Sequence, residues 1–517
     1  MARKWWTLLV VCTAIFMLLL DITIVNVALP DIAGSFNSSL SGLQWVIDAY
    51  ALALASLLLT AGILADRDGR RLLFLIGVAI FTVGSALCGG AMGMVMLSLS
   101  RAFQGIGGAI MFATSLALLS ESFKGPERGV AFGIYGGITG LAIATGPVIG
   151  GALVTGLGWR WIFLVNIPVG IVVFIVAWLR VNESRDPEPK RLDIMGFITF
   201  STGLFALIFG LIQSNHHGWS SPVVIGSLVA AGVLLGAFVL VELTRPEPMF
   251  DFKLLRVPTF DGGLAAAFAI SASIFSVLTY LILWVQGLLE LSALQAGVRF
   301  LPLSLSLFFT AAIAGRLTSL VPARLLIAPG FVVIGIGLLL MRGLTVTSEW
   351  IHLVPGMIVC GAGAGLVNVP LIATAVGVVA PRRAGMASGI NSTFRQVGLA
   401  TGIAVLGTIF VSHIRSNVVA DLAGTPAGGF SSQIADGIAS GQLRMVLAQV
   451  PTATRQAVET AARAGFVDAL NLILLITALL TFLAAVLSFF LIREKDFVEG
   501  QGRAAGGSGR AAGEAAG

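Results

Sequence analysis

The chain has 517 residues, 57% hydrophobic and 11% charged, with a net charge of +6 and a mean hydropathy of +0.98. Soluble domains carry roughly a quarter charged residues, so this composition excludes a water-dissolved globular protein and indicates an all-α polytopic membrane protein. The basic residues are spread between apolar runs instead of forming a patch, which argues against a nucleic-acid partner.

A membrane-crossing helix needs about 20 apolar residues. In chain order that criterion predicts fourteen: 5–29, 44–64, 72–91, 94–120, 130–156, 161–179, 193–213, 222–241, 260–286, 295–315, 324–342, 351–373, 386–410 and 467–491. With both termini on the cytoplasmic side, 22 of the 31 Lys and Arg face the cytoplasm, seven face outward, and only Arg101 and Arg395 fall deep within spans and away from their ends. The opposite orientation inverts that ratio, so a multi-pass protein of the cell membrane with cytoplasmic termini is expected. The nine Trp fall near span ends, as an interfacial belt would place them. The three cysteines and four histidines suggest neither a disulfide framework nor a metal site.

A shift of 256 residues brings Gly105 and Gly107 onto Gly361 and Gly363, and Gly129 and Gly133 onto Gly385 and Gly389. The same shift brings Ala144-Thr145-Gly146 onto Ala400-Thr401-Gly402. This repeat predicts two six-helix halves, 1–180 and 259–498, separated by a linker with two extra spans, 181–258. The second half includes a long external connection, 411–466, read as a partly helical solvated cap, and the Gly/Ala/Arg-rich tail 499–517 is expected to be disordered. Under that shift Arg101 meets Met357 and Pro147 meets Ile403, and where the turn motif's degenerate copy sets Gly315 on Gly62, Asp66 meets Ser319. Packing glycines are therefore duplicated, whereas the costly polar groups belong to the first half.

Those polar groups are the candidates for chemistry. A carboxylate inside a span costs about 2.5–3.5 kcal/mol on insertion scales, so Asp21 should face a cavity or a partner, or carry a proton. Asp48, in the second span, is a second such carboxylate. Either could take a proton or a cationic cargo, but not both at once. Arg101 stays charged and could pair with Asp21 whenever the proton leaves, with Gln104 one turn further along the same helical face. Structural readings exist beside these: Asp21 could bond locally to Thr23 or Asn26, and Arg101 could cap backbone carbonyls. The small residues around Gly146, Pro147, Gly150 and Gly151 permit close helix approach, with a bend where Pro147 removes a hydrogen bond. Between spans two and three, Gly62-Ile-Leu-Ala-Asp66-Arg-Asp-Gly69-Arg70-Arg71 concentrates charge in a tight turn. In the second half, Tyr280, Gln286, Asn391 and Arg395, together with Gln104, are candidates to line a substrate cavity.

The turn motif resembles the loop signature of the major facilitator superfamily. Four further blocks resemble that superfamily's fourteen-span drug:proton antiporter branch: Leu20-Asp-Ile-Thr-Ile-Val-Asn-Val-Ala-Leu-Pro30, Arg101-Ala-Phe-Gln-Gly-Ile-Gly107, Gly146-Pro-Val-Ile-Gly-Gly151 and Trp159-Arg-Trp-Ile-Phe-Leu-Val-Asn-Ile-Pro168. Ala142 stands where the fifth-span motif often opens with Gly. The resemblance implies proton-driven export of lipophilic, cationic drugs or antibiotics by alternating access. Asp21, Asp48 and Arg101 would couple protons, Gly62, Asp66, Gly69 and Arg70 would form a cytoplasmic gate, and the fifth span would seal against proton leak. Asp66 is expected near Ala384 and Gly385, at the positive end of span thirteen.

No lysine follows a glycine as a Walker A loop requires. A proton gradient with no cofactor, small lipophilic substrates, the bilayer and a monomer complete the expectation. An exporter of one endogenous metabolite on the same fold is the alternative, and a transport-inactive membrane sensor a remote one. No clustered Ser/His/Asp set suggests an enzyme.

Overall fold

A computed structural model describes residues 2–498, apart from 37–39, 125, 186–192, 246–249, 251, 319, 381–382, 424, 426–427, 440–442, 444–446 and 448–449. The expected tail, 499–517, and Ser319 therefore lie outside the described residues.

Thirteen helices among the described residues are long and apolar enough to cross a membrane. A further 32-residue helix takes the fifth place. In order these are α1 (Arg3–Phe36), α2 (Leu40–Asp68), α3 (Arg70–Gly89), α4 (Met94–Ser122), α5 (Pro126–Leu157), α6 (Trp161–Arg180) and α7 (Ile194–His217). They continue with α8 (Pro222–Thr244), α9 (Pro258–Leu288), α10 (Ala293–Leu317), α11 (Arg324–Met341), α12 (Val354–Gly377), α13 (Ala384–Asp421) and α14 (Thr452–Leu491).

The repeat is visible as duplicated packing. A methyl group added at Gly105 of α4 would strike the Tyr50 carbonyl of α2, and one at Gly361 of α12 would strike α10 at Leu303 and Ser306. Gly107 packs equally tightly on α3 at Phe81, and Gly363 on α11 at Gly330 and Ile334. Without a hydrophobic drive between helices in lipid, such close backbone approach supplies much of the association.

The two sets of six helices meet at two crossings that the same repeat relates. On α5, Gly129 and Gly133 lie against Gly315 and Ala311 of α10; on α13, Gly385 and Gly389 lie against Gly62 and Leu59 of α2. Apolar side chains from both sets join one core there, including Leu58, Phe132, Ala311, Val369 and Ile390. Helices α7 and α8 pack chiefly on each other, with α7 reaching α2 through a Thr60–Ser201 hydroxyl contact of 3.2 Å.

Two expectations need correction. The connection 411–466 is partly helical, with α13 continuing to Asp421 and α14 starting at Thr452, both projecting past the apolar spans. Between them a short helix, Ser431–Ala439, buries Ile434, Ala435 and Ile438 against the second-half core, so this cap is docked and not merely solvated. The Trp belt also has exceptions. Trp284 is buried among α9's neighbours, and Trp159 packs inside the bundle against Phe36 and Phe163.

Candidate functional site

Three polar places stand out in this apolar bundle. The first is the turn after α2. Gly69 has φ +126°, a conformation that favours glycine, and this lets α3 start immediately after α2 ends. Asp66 points away from the turn toward α13. Its Oδ1 accepts from Gly385 N at 3.0 Å and its Oδ2 from Met386 N at 2.9 Å. These are orphan N–H groups at the start of a helix whose own N-cap, Arg383, offers no side-chain bond. A carboxylate there also meets the positive end of the helix dipole. Arg70 secures the carboxylate from α3, with Nε at 2.9 Å and Nη2 at 2.8 Å from Oδ1. Gly62 makes the approach possible, because a side chain there would overlap the Gly385 carbonyl.

The sequence reading missed Glu183, just after α6. Its oxygens accept from Arg71 N at 2.9 Å and Leu72 N at 3.0 Å, capping α3 from a distant part of the chain. Glu183→Ala is expected to cost about 1 kcal/mol, the usual worth of such a cap. A lowered unfolding midpoint in detergent, with transport rate little changed, would be the sign.

The second place is a sealed cluster near the other end of the first six helices. Asp21 and Arg101 are each 1% exposed, and Arg101 Nη1 lies 2.5 Å from Asp21 Oδ2. Asp21 Oδ1 accepts from Gln104 Nε2 and from Asn166 Nδ2, both at 3.0 Å. Ser85 Oγ accepts from the same Gln104 amide at 2.8 Å. Arg101 also donates from Nη1 to Gln104 Oε1 at 2.7 Å and from Nε to the Val46 carbonyl of α2 at 3.1 Å. Its guanidinium lies 4.1 Å from the Tyr50 ring centroid. Helices α1, α2, α3, α4 and α6 each contribute, so the cluster measures the relative position of five helices.

Sequence reasoning joined Asp21, Arg101 and Gln104 but missed Asn166, Ser85 and Tyr50. The clue for Asn166 was available: an amide in the apolar run that begins at Trp161. Asp48, two residues beyond Val46 and half-buried, makes no side-chain hydrogen bond or ion pair among the described residues.

The third place is a cavity of about 40 Å³ between the halves, room for two or three waters. Phe112 and Leu116 of α4, Tyr135 and Thr139 of α5, Phe275 of α9, Leu307 of α10, Asn368 of α12, and Asn391 and Arg395 of α13 line it. Of the residues expected to face a substrate cavity, Asn391 and Arg395 do so. Gln104 belongs to the Asp21 cluster instead. Tyr280 lies in the second-half core, its hydroxyl donating to the Ile403 carbonyl at 2.8 Å, and Gln286 is exposed. Asp21 is not on the cavity either. The expectation that one carboxylate exchanges a proton directly for cargo does not fit this arrangement, because Arg101, Gln104 and Asn166 already occupy both its oxygens.

The fifth-span glycines connect these places. Gly146 and Gly150 of α5 pack on Thr23 and Ile24 of α1, just past Asp21, while Gly137 and Gly140 of the same helix face Phe308 and Leu307 of α10. Gly151 faces Leu294 of α10, where an added methyl group would make ordinary van der Waals contact. The backbone of residue 147 is helical, and the Pro147 side chain lies outside the described ones.

The profile of the Major Facilitator Superfamily matches residues 11–403. The multidrug resistance protein Stp of Mycobacterium tuberculosis is 36% identical over 413 residues, covering 80% of this chain and 77% of the relative. The puromycin resistance protein pur8 of Streptomyces alboniger is 35% identical, covering 79% and 82%. Among solved structures, the human organic anion transporter MFSD10 (TETRAN) superposes with a TM-score of 0.57 over 91% of this chain and 99% of that one. At 15% identity, this is a likeness of fold alone.

Proposed function

The chain belongs to the Major Facilitator Superfamily of membrane transporters, and we propose that it exports lipophilic drugs or antibiotics in exchange for protons by alternating access. It acts as a monomer in the cell membrane, both termini in the cytoplasm, with the gradient as its energy source and no cofactor. The observation that carries the proton half of this reading is the sealed Asp21–Arg101 pair. A neutral Asp21 releases Arg101, and Arg101 is what holds α2 by the Val46 carbonyl and the Tyr50 ring. Twenty residues further along the same helix, roughly 30 Å away, Asp66 closes the cytoplasmic face against α13. Protonation therefore loosens one end of a rod whose other end is the gate. Through Thr23 and Ile24 the same event reaches α5 and its crossing with α10. The proton and the cargo exclude each other through helix positions and not at a shared carboxylate.

Asp48 is the entry point for the proton, being half-buried on α2 between Val46 and Tyr50 and without a side-chain hydrogen bond or ion pair among the described residues. Asp48→Asn is accordingly expected to slow exchange severalfold, with acidification of the outer medium restoring much of the rate. Asp21→Asn is not rescued that way. A proton moving inward gains about 2.3 kcal/mol per 100 mV in addition to the pH gradient, enough to drive export without nucleotide hydrolysis. The family names of the relatives support drugs and antibiotics as cargo. Cells expressing the chain and loaded with several unrelated lipophilic dyes test it. Efflux of more than one dye, stopped by a protonophore, is the expected result, and efflux indifferent to the protonophore would overturn the proton coupling. Export of a single dye would favour the one-solute alternative.

A further inference from the structure

We propose, resting on the export reading above, that the cavity between the halves takes cargo by an anionic oxygen, a carboxylate or ionised phenol or enol, on an apolar ring body. Arg395 is its counter-ion. This reverses the cationic cargo expected from the sequence.

The inference starts from an imbalance among the arginines inside the helix bundle. Arg70 pairs with Asp66, and Arg101 pairs with Asp21. Among the described residues Arg395 has no carboxylate partner: its Nη1 donates to the neutral Asn368 Oδ1 at 2.8 Å, and its Nη2 is buried with no hydrogen-bond partner. Among the described residues no Asp or Glu lines the cavity. An uncompensated cation in the membrane interior is costly, and such groups persist where a pathway or ligand uses them. A guanidinium presents a rigid fork of donors matched to two oxygens or to one oxygen from two sides, and here part of that fork is free.

The neighbours complete a receptor for an anion. The Tyr135 hydroxyl, on the α5 side of the same cavity, is buried and unpartnered, so it is available as a second donor. Asn391 is 1% exposed with its Oδ1 unpartnered; a half-turn of the amide presents its NH₂ instead. Phe112, Phe275, Leu116, Leu307 and Ile372 supply apolar walls for a ring system. In this closed arrangement the space holds only a few waters, so cargo enters once the halves part. Arg395 lies on the surfaces that part, 11 residues into α13 and about 16 Å from the gate at its start. The energetics agree with export: one proton in for one monoanion out moves two charges with a negative-inside potential.

The test uses the full chain in lipid nanodiscs and two dyes with the same xanthene ring, anionic fluorescein and cationic rhodamine 6G, with empty nanodiscs subtracted. Fluorescein is expected to bind at least tenfold more tightly than rhodamine 6G. Arg395→Gln should weaken fluorescein at least tenfold while leaving rhodamine 6G within twofold. Tyr135→Phe, which removes only a hydroxyl, should weaken fluorescein about threefold, and it carries the comparison if Arg395→Gln fails to fold. Tighter binding of rhodamine 6G by the parent, or fluorescein affinity indifferent to both substitutions, would overturn the assignment. Because binding is read without a gradient, it stands apart from the export reading. Efflux indifferent to a protonophore defeats that reading alone, whereas protonophore-sensitive export of rhodamine 6G without fluorescein binding defeats the charge assignment alone.

Discussion

Arg101→Ala is expected to yield a protein that unfolds at markedly lower temperature and moves no cargo. Removing one member of a buried ion pair costs about 3–5 kcal/mol, because the remaining charge is left uncompensated. Asp21 would keep its amide donors, Gln104 and Asn166, but lose the cation at 2.5 Å. The α2 backbone would lose its tie at Val46 and the cation over Tyr50. Arg101→Lys should recover little, since a single ammonium cannot reach Asp21, Gln104 and the Val46 carbonyl in the fixed fork geometry that the guanidinium supplies. The double variant Asp21→Asn with Arg101→Gln separates stability from function: it should regain much of the lost stability while transport stays absent. Unfolding midpoints in detergent and dye uptake into inverted vesicles read the two effects. An Arg101→Ala protein as stable and active as the parent would mean that the cluster is ornamental.

The second large effect concerns the gate. Asp66→Ala removes the acceptor for two backbone donors of α13 and two guanidinium bonds from Arg70. Hydrogen bonds to a charged group are worth about 1.5–3 kcal/mol each, and each 1.4 kcal/mol is tenfold in a population. The closed cytoplasmic face should therefore lose ground to the open one by tenfold or more, with transport falling by a similar factor. Ser388, 1% exposed where α13 meets α4, reports the change. In a background without other cysteines, Ser388→Cys should label slowly with an impermeant maleimide from the cytoplasmic side, and at least tenfold faster once Asp66→Ala is added. Gly62→Leu should act the same way through sterics, with the carboxylate intact, because its side chain collides with the Gly385 carbonyl. Unchanged labelling in both variants would remove the gate role from this crossing.

Both predictions rest on residues that were visible in the sequence, and the reason is energetic. Asp21, Arg101 and Asp66 are expensive among apolar neighbours, so their presence announces a partner even when the partner is unseen. The apolar runs also placed the fourteen helices, since length and composition decide what can cross a bilayer. The glycine repeat was legible because backbone contact tolerates no side chain, which makes Gly129, Gly133, Gly385 and Gly389 recur at a fixed shift.

What the sequence hid was rotation and extension. Helix α9 carries two π turns, Ser271–Phe275 and Trp284–Leu288, each adding a residue and turning the helix face that follows. Tyr280 and Gln286 lie beyond the first of them, so a regular helical count cannot say which way they face. The thirteenth helix was drawn short for a different reason: an apolar threshold stops counting where α13 leaves the hydrocarbon, although the helix itself runs on to Asp421. Asn166 and Ser85 bear no charge, so neither stands out among apolar neighbours as an Asp or Arg does. They join the Asp21 cluster only when α3 and α6 are brought beside α1.

One claim governs the rest: that the charge on Asp21 sets the position of α1 and α2, and thereby links proton entry to cargo exit. The most direct measurement is proton flux in liposomes holding the purified chain, recorded with a lumenal pH dye while exported cargo is added, for the parent and for Asp21→Asn. Asparagine keeps the shape and can still accept from Gln104 or Asn166, but it has no charge to neutralise. The account predicts cargo-driven proton flux in the parent and its loss, by at least a hundredfold, in the variant. Parental proton exchange by Asp21→Asn would contradict it.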